Sequence, residues 1–208
     1  MECGCVAGFY IANNTDGDRC GEESMQNDPT CSYIDVMEAS KYGFATRIHP
    51  CNGDSCEPIE CFNEIEMKDQ GEGLYGLDAY GPEGTYIDTN LPFTVHVAFI
   101  CDKGYDELWS VQTTLKQNGK KMILKAYCPG EFGHLNKAMD GKMGLILSSW
   151  DNRNARTDSI ETGNKCQIAS TCNTSMATFS EINIKQWGYN WPQVKPKEWI
   201  DPHPEPEP

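Results

Sequence analysis

Apolar and polar residues alternate with a period of two along much of the chain. Every second residue from Phe93 to Phe99 is apolar, for example. Successive side chains of a strand point to opposite faces, so this alternation predicts a strand with one buried face. Comparable patterns predict further strands at 6–12, 33–39, 107–115, 120–126, 143–150 and 176–184. Only segment 135–139 indicates a helical turn or two.

The segment 117–119 predicts a tight hairpin between two of these strands. It reads Gln117-Asn118-Gly119, and Asn-Gly is the preferred pair at the centre of a type I′ turn. Clusters of Gly, Asn and Pro separate the remaining strands. Many strands broken by such turns are typical of an all-β protein, and we therefore predict an antiparallel β-sandwich.

Length and cysteine content limit the class of protein further. The 208 residues suit one β domain, which we place at 1–191, followed by a Pro- and Glu-rich tail or linker at 192–208. Eleven cysteines without a paired C-x-x-C zinc pattern indicate disulfides formed in an oxidising compartment. The long turn-rich segments 14–29 and 52–84 contain cysteines, so we expect disulfides to hold these loops. An odd count leaves one cysteine over.

Net charge and targeting signals limit the kinds of binding partner and the cellular location that we expect. The net charge of −14 argues against nucleic acid, whose phosphates it would repel. No apolar stretch approaches a membrane span. Two N-x-[ST] triplets, at Asn13 and Asn173, agree with a secreted glycoprotein, although no signal peptide opens the chain, which suggests a partial product. We expect a secreted monomer with no cofactor and no metal, since the histidines show no ligand spacing.

The candidate chemistry lies in the segment 31–40, which reads C-S-Y-I-D-V-M-E-A-S. Glycosidases place two carboxyl groups beside the bond to be cut, about 5 Å apart in retaining enzymes. Tyr33 and Asp35 share one face of a strand, whereas Glu38 falls on the other. A β-bulge between Asp35 and Glu38 would bring all three side chains to one face, and bulges are common near active sites.

These residues resemble the catalytic strand of glycoside hydrolase family 7, the cellulases, which reads C-S-E-M-D-I-W-E-A-N. Further segments resemble the family in the same order along the chain. They are C-G-C-V-A-G-F-Y at 3–10, I-H-P-C at 48–51, Y-G-P-E-G-T-Y-I-D-T at 80–89, G-K-M-G-L-I-L-S-S-W-D at 141–151 and T-F-S-E-I at 178–182. The family's N-terminal part has no counterpart here.

The resemblance implies a jelly-roll, concanavalin-like sandwich that binds β-1,4-glucan in an open groove. It assigns Glu38 as the acid/base, Asp35 as the assisting carboxylate and His49 as the supporting histidine. Tyr33, however, occupies the position of the nucleophilic glutamate, which predicts weak or degenerate hydrolysis.

The same resemblance makes Trp150 and Asp151 candidate substrate-binding residues. A stacking platform for a sugar ring and a core tryptophan are both compatible with the position of Trp150.

Two alternatives remain open. The chain could be a non-catalytic glycan-binding domain that keeps the groove without turnover. A second acidic cluster, at Glu64, Glu66 and Asp69, repeats the spacing of the candidate catalytic residues. We interpret that cluster as a solvated charge run in a loop, and its glutamates are the next candidates for a nucleophile.

Overall fold

The computed structural model describes residues 5–13, 31–49, 63–65, 78–101, 108–127, 143–151 and 176–185, together with Leu135, Met139 and Cys172. At 63–65, 109, 125–127 and 150–151 only the backbone is described. The strands are β1 (Cys5–Asn13), β2 (Tyr33–Ala39), β3 (Phe44–His49), β4 (Asn63–Ile65), β5 (Tyr80–Gly81), β6 (Ile87–Asp88), β7 (Thr94–Cys101), β8 (Leu108–Gln117), β9 (Lys120–Tyr127) and β10 (Met143–Asp151).

Two antiparallel sheets carry most of these strands. The five-stranded sheet has the order β10-β1-β2-β3-β4, and we call it the site sheet. The three-stranded sheet has the order β7-β8-β9, and we call it the facing sheet. A short parallel pair, β5 and β6, completes the described strands. In the site sheet, β10, the last described strand in chain order, pairs with β1, the first. Distant parts of the chain are therefore neighbours.

An apolar core lies between the site sheet and the facing sheet. Side chains from one face of β1, β2, β3, β7 and β8 enter it, because side chains alternate across a pleated sheet. Phe9 and Ile11 of β1 and Val97 and Phe99 of β7 pack at its margin. Its buried members, which we call the inter-sheet core, are Ile34, Val36, Ile48, Leu108, Val111 and Leu135. The opposite face of the site sheet is thus free to carry polar side chains.

The strands and the hairpin predicted from the alternation are mostly confirmed, with ends that differ by a residue or two. The turn between β8 and β9 places both Asn118 (φ 49°) and Gly119 (φ 76°) in the left-handed region, as a type I′ turn requires. Leu135 and Met139 are helical, in agreement with the short turn predicted there. The described helical residues include no segment long and apolar enough to cross a membrane.

The strand predicted at 176–184 is wrong. Residues 176–185 have no regular secondary structure and form no ladder in the described part of the chain. Met176 is 80% exposed and Ile184 is 71% exposed. Alternating apolar residues stabilise a strand only when a neighbouring strand and a buried face are available to them. The chain forms two compact units, Met1–Ala177 and Thr178–Pro208, and all strands among the described residues belong to the first.

A disulfide joins Cys5, at the start of β1, to Cys172, with 5.5 Å between the Cα atoms. It spans 167 positions of the chain, and Cys31 is also disulfide-bonded. Closing so long a loop restricts the unfolded chain strongly. The expectation that disulfides hold the loops 14–29 and 52–84 concerns cysteines that lie outside the described part of the chain.

The loop 78–92 is fastened to both sheets by side chains. Gln117 donates from Nε2 to the carbonyl of Asp88 at 2.9 Å and to that of Pro92 at 3.1 Å, and its Oε1 accepts from the Asp88 N–H at 2.7 Å. The Tyr80 hydroxyl donates to the Ser40 carbonyl at 3.1 Å, in the turn that joins β2 to β3. The loop therefore supports the strand pair that carries the candidate site.

One residue of this loop has an unfavourable backbone conformation. Glu83 has a φ of 61°, in the left-handed region that favours glycine. Glu83→Gly should raise the free energy of unfolding by about 1 kcal/mol, measured by urea denaturation. Glu83→Ala is the matched control, because it removes the carboxylate but keeps Cβ. Equal stabilisation by both variants would show that charge, and not backbone strain, is the cause.

Candidate active site

The candidate site is built on the pair β2 and β3, and on one irregularity in that pair. Asp35 lies opposite Arg47, and Glu38 lies opposite Ala45. Two residues of β2, Val36 and Met37, therefore face the single residue between Arg47 and Ala45 on β3. The ladder between β1 and β2 shifts at the same place. The bulge expected between Asp35 and Glu38 is confirmed, and it returns Glu38 to the face that carries Asp35.

Three of the predicted residues form one contact group at the end of β2 and β3. Tyr33 lies opposite His49, and their rings are stacked with centroids 4.1 Å apart and planes 10° apart. His49 Nε2 lies 2.9 Å from Asp35 Oδ2, so the imidazole is held between a ring and a carboxylate. All three side chains are buried. The imidazole ring is fixed from both sides, which favours a defined orientation for Asp35.

Glu38 is held by two other side chains. Arg47 donates to Glu38 Oε2 at 2.9 Å, with both side chains about one-tenth exposed. The Tyr10 hydroxyl donates to Glu38 Oε1 at 3.4 Å. Each carboxylate oxygen therefore has its own donor. A proton added to Glu38 is favoured on Oε1, because Oε2 faces a guanidinium.

Gly8 makes room for the contact between Tyr10 and Glu38. It lies opposite Glu38 in the ladder between β1 and β2, and a Cβ at this position would overlap the ring of Tyr10. The tyrosine ring therefore lies across position 8 and reaches toward the carboxylate. Tyr10 also packs with Tyr33 and Ala12 in a small buried cluster, which links the two halves of the site.

The environment of Glu38 changes its acidity. Burial raises the pKa of Glu38 from 4.5 to about 7, and the charge of Asp35 raises it as well. Arg47, His49 and the Tyr10 hydroxyl oppose this increase without cancelling it. Desolvation disfavours the charged form of a carboxyl group, which explains the direction. A carboxyl group that titrates near neutral pH can give up a proton and take one back, as a general acid/base requires.

Two buried polar atoms on the site sheet find no hydrogen-bond partner among the described residues. They are Asp35 Oδ1 and Ser148 Oγ. Ser148 lies opposite Gly8, which lies opposite Glu38, so Ser148 and Glu38 occupy one row across the sheet. A ligand with hydroxyl groups could satisfy both atoms. In the described part of the chain, no group of three or more His, Cys, Asp or Glu residues is arranged to hold a metal ion.

The remaining candidates are placed only by their backbone. Trp150 lies opposite Val6 and Asp151 opposite Cys5 in the ladder between β1 and β10, two and three positions from Ser148. Glu64 lies opposite Ala45, which lies opposite Glu38. Glu64 is therefore in a strand, β4, and not in the loop expected from the sequence. Glu66 and Asp69 lie outside the described residues.

The sequence patterns do not identify Tyr10, Arg47 or Ser148 as members of the site. Arg47 lies two residues before His49 on the same strand, so the period of two would have placed it on the same face. Tyr10 and Ser148 reach the site through pairing between strands that lie more than twenty residues apart. Only the register of the sheet reveals them.

The fold is that of glycoside hydrolases of family 7. A solved endoglucanase I complexed with cellobiose superposes with a TM-score of 0.53 at 18% identity, covering 73% of this chain and 54% of that one. A GH7 family cellobiohydrolase from Daphnia pulex gives 0.53 at 18% identity, covering 76% and 56%. Identities this low establish the shared β-sandwich alone, and the predicted fold class is confirmed.

Similarity in sequence points to the same family. The chain is 26% identical over 156 residues to endoglucanase EG-1 of Hypocrea jecorina, an alignment that covers 68% of this chain and 32% of the relative. It is 25% identical over 156 residues to the endoglucanase EG-1 of Trichoderma longibrachiatum. The resemblance drawn from the motifs is therefore confirmed. The chain spans about a third of the length of these curated relatives, and no protein-family model matches it.

The raised pKa of Glu38 predicts a specific dependence of stability on pH. Between 4.5 and about 7 the folded chain keeps a proton on Glu38 that the unfolded chain has lost. The stability of the wild type should therefore fall across this window relative to Glu38→Gln, by up to about 1.4 kcal/mol per pH unit. Urea denaturation at several pH values measures this difference. Glu83→Gln, at an exposed glutamate, should parallel the wild type, and a parallel curve for Glu38→Gln would contradict the burial of Glu38.

Proposed function

We propose that this chain is part of a family 7 type glycoside hydrolase that acts on β-1,4-glucosidic bonds of cellulose-like glucans, with weak turnover. The observation that supports this most directly is Glu38, a buried carboxyl group with a pKa of about 7 beside the Asp35–His49 pair. An acid of this kind can protonate a glycosidic oxygen near neutral pH. The similarity to endoglucanases and the neighbour solved with cellobiose support β-glucan as the substrate.

In the proposed reaction, Glu38 gives its proton to the leaving oxygen and later removes one from water. Arg47 holds Oε2, which directs the proton to Oε1. Asp35, oriented by His49, presents Oδ1 toward a sugar hydroxyl and stabilises the positive charge that develops on the sugar ring. The contacts that orient Glu38 and Asp35 for these roles are already made in the site sheet. They supply the acid half of a retaining mechanism.

The other half of the mechanism lacks its usual group. A retaining glycosidase forms a covalent intermediate with a carboxylate, and Tyr33 stands at that position. Its ring is stacked on His49 and is only 9% exposed. A phenol is mostly protonated at neutral pH and is a poor nucleophile without a base. We therefore propose slow turnover for the wild type.

We also propose an extracellular location. The bond between Cys5 and Cys172, together with the disulfide of Cys31, requires an oxidising compartment to form and persist. The acidic net charge of −14 suits a neutral glycan, which carries no charge to be repelled.

The activity is tested by restoring the carboxylate. Tyr33→Glu should release reducing ends from soluble β-glucan faster than the wild type, with retention of anomeric configuration by NMR. Adding Glu38→Gln to that variant should lower the rate by about 100-fold or more, since it removes the general acid. Tyr33→Gln is the matched control, because it has nearly the same size as glutamate and no nucleophile. If the wild type cuts glucan efficiently and Tyr33→Phe leaves the rate unchanged, another carboxylate is the nucleophile, and Glu64 is the first to substitute.

A second candidate function, glycan binding without turnover, is favoured by the same tyrosine. Tyr33 stacks on His49, and Arg47 forms an ion pair with Glu38. These four side chains of the site therefore already contact one another. The unpartnered Asp35 Oδ1 and Ser148 Oγ would then serve to hold sugar hydroxyls. Binding and hydrolysis use the same face, so a binding assay separates them only when turnover is measured alongside.

Trp150 provides the test of binding. If its indole stacks on a sugar ring, Trp150→Ala should weaken the binding of cello-oligosaccharides by about 1–2 kcal/mol, measured by isothermal titration calorimetry. Trp150→Phe, which keeps an aromatic face, should retain most of the affinity. A loss of stability without a loss of affinity would instead assign Trp150 to the core.

A further inference from the structure

The bulge in β2 leaves a backbone carbonyl group inside the apolar core without its usual hydrogen bond to the neighbouring strand. An extra residue in one strand has no counterpart in the neighbouring strand, so its backbone groups leave the ladder. Here the carbonyl of Val36 lies at the bulge, and the side chain of Val36 is part of the inter-sheet core. A buried carbonyl group away from water requires a donor.

The donor is a side chain from the next strand. The Thr46 hydroxyl donates to the Val36 carbonyl at 3.0 Å. Thr46 is the residue that faces the two-residue side of the bulge, and it is 1% exposed. Thr46 therefore lies opposite the bulge in the ladder, and its side chain donates a hydrogen bond to the bulged strand.

A second threonine completes the connection. Thr46 Oγ1 lies 2.8 Å from Thr113 Oγ1, on β8 of the facing sheet. A hydroxyl group has one hydrogen, and Thr46 uses its own for Val36, so Thr113 must be the donor in this contact. The hydrogen bonds run in one direction, from Thr113 through Thr46 to the Val36 carbonyl.

The hydroxyl groups of Thr46 and Thr113 lie beside apolar side chains of the core. Ile48, two residues from Thr46, and Val111, two residues from Thr113, belong to the inter-sheet core. Valine has nearly the shape of threonine and would fill the same space without a polar atom to satisfy. Packing alone therefore does not account for a pair of buried threonines that meet across two sheets.

We propose that Thr46 and Thr113 are positioning residues, which fix the bulge through the core and so hold Glu38 against Arg47 and Tyr10. A shift of one residue in a strand moves its side chains to the opposite face. The threonine pair opposes such a shift at the bulge, where the register between β2 and β3 already changes. Its consequence for catalysis rests on the proposed function, whereas its consequence for the position of Glu38 does not.

The first experiment follows Glu38 itself, in the full chain labelled with ¹³C-glutamate. The carboxyl resonance of Glu38 is assigned by its loss in Glu38→Gln and titrated by NMR. Thr46→Val should move the titration midpoint away from about 7 by about one pH unit, because a displaced Glu38 loses the contacts with Arg47 and Tyr10 and the burial that set its pKa. Thr46→Ser keeps the hydroxyl and should titrate as the wild type does. Thr113→Val, which leaves the bond from Thr46 to Val36 in place, should give a smaller change in the same direction.

A matched control separates positioning from general stability. Thr114 is also a buried threonine of β8, one residue from Thr113. Thr114→Val should leave the midpoint of Glu38 unchanged, whatever it does to the urea midpoint. If Thr46→Val and Thr113→Val lower stability but leave the Glu38 titration unchanged, the pair is structural only and the proposal is wrong. If Thr46→Val does not fold, the Glu38 titration midpoints of Thr113→Val and Thr114→Val are compared instead. Equal midpoints in these two variants would contradict the proposal.

The second experiment measures turnover in the Tyr33→Glu background. Adding Thr46→Val should lower kcat by about 10- to 100-fold, with a smaller effect on KM, because a displaced acid affects the reaction more than binding. Adding Thr46→Ser instead should keep the rate. An unchanged kcat in the Thr46→Val variant contradicts the proposal. Absence of activity in Tyr33→Glu itself would contradict the proposed function, while the titration of Glu38 would still decide the role of the threonines.

Discussion

The single extra residue in β2 is the constraint on which the candidate site depends. A regular strand would place Asp35 and Glu38 on opposite faces, since they lie three residues apart. The bulge at Val36 and Met37 restores Glu38 to the polar face, where Arg47 and Tyr10 hold its two oxygens. It also exposes the Val36 carbonyl to the core, where this carbonyl accepts a hydrogen bond from the Thr46 hydroxyl. Geometry on one face of the sheet is thus maintained by contacts on the other.

The electrostatics of the site follow from burial and pairing together. Two carboxyl groups lie close together on a buried face, and each has a basic partner, His49 for Asp35 and Arg47 for Glu38. Burial still raises the pKa of Glu38 to about 7, so these partners do not abolish its ability to carry a proton near neutral pH. The surroundings of Glu38 suit the proposed acid/base role, even though the proposed position of the nucleophile is occupied by Tyr33.

Much of the fold could be predicted from sequence, because it depends on local regularities. Alternation from Phe93 onward predicted β7, and Asn118-Gly119 predicted the hairpin, since backbone conformation in each case follows from nearby residues. The strand predicted at 176–184 failed for the complementary reason. Alternation gives a segment the capacity to pair, but a partner and a buried face must be supplied by other parts of the chain.

The sequence by itself determined the residue types of the site and indicated that a bulge between Asp35 and Glu38 would be needed to bring them to one face. It did not determine the neighbours of those residues. Tyr10 comes to Glu38 from β1, and Ser148 joins the same row from β10, through registers set by pairing across long stretches of chain. The link from Thr113 to Thr46 crosses two sheets. Such contacts depend on how sheets pack and pair, which no local pattern encodes, so only the tertiary structure decided them.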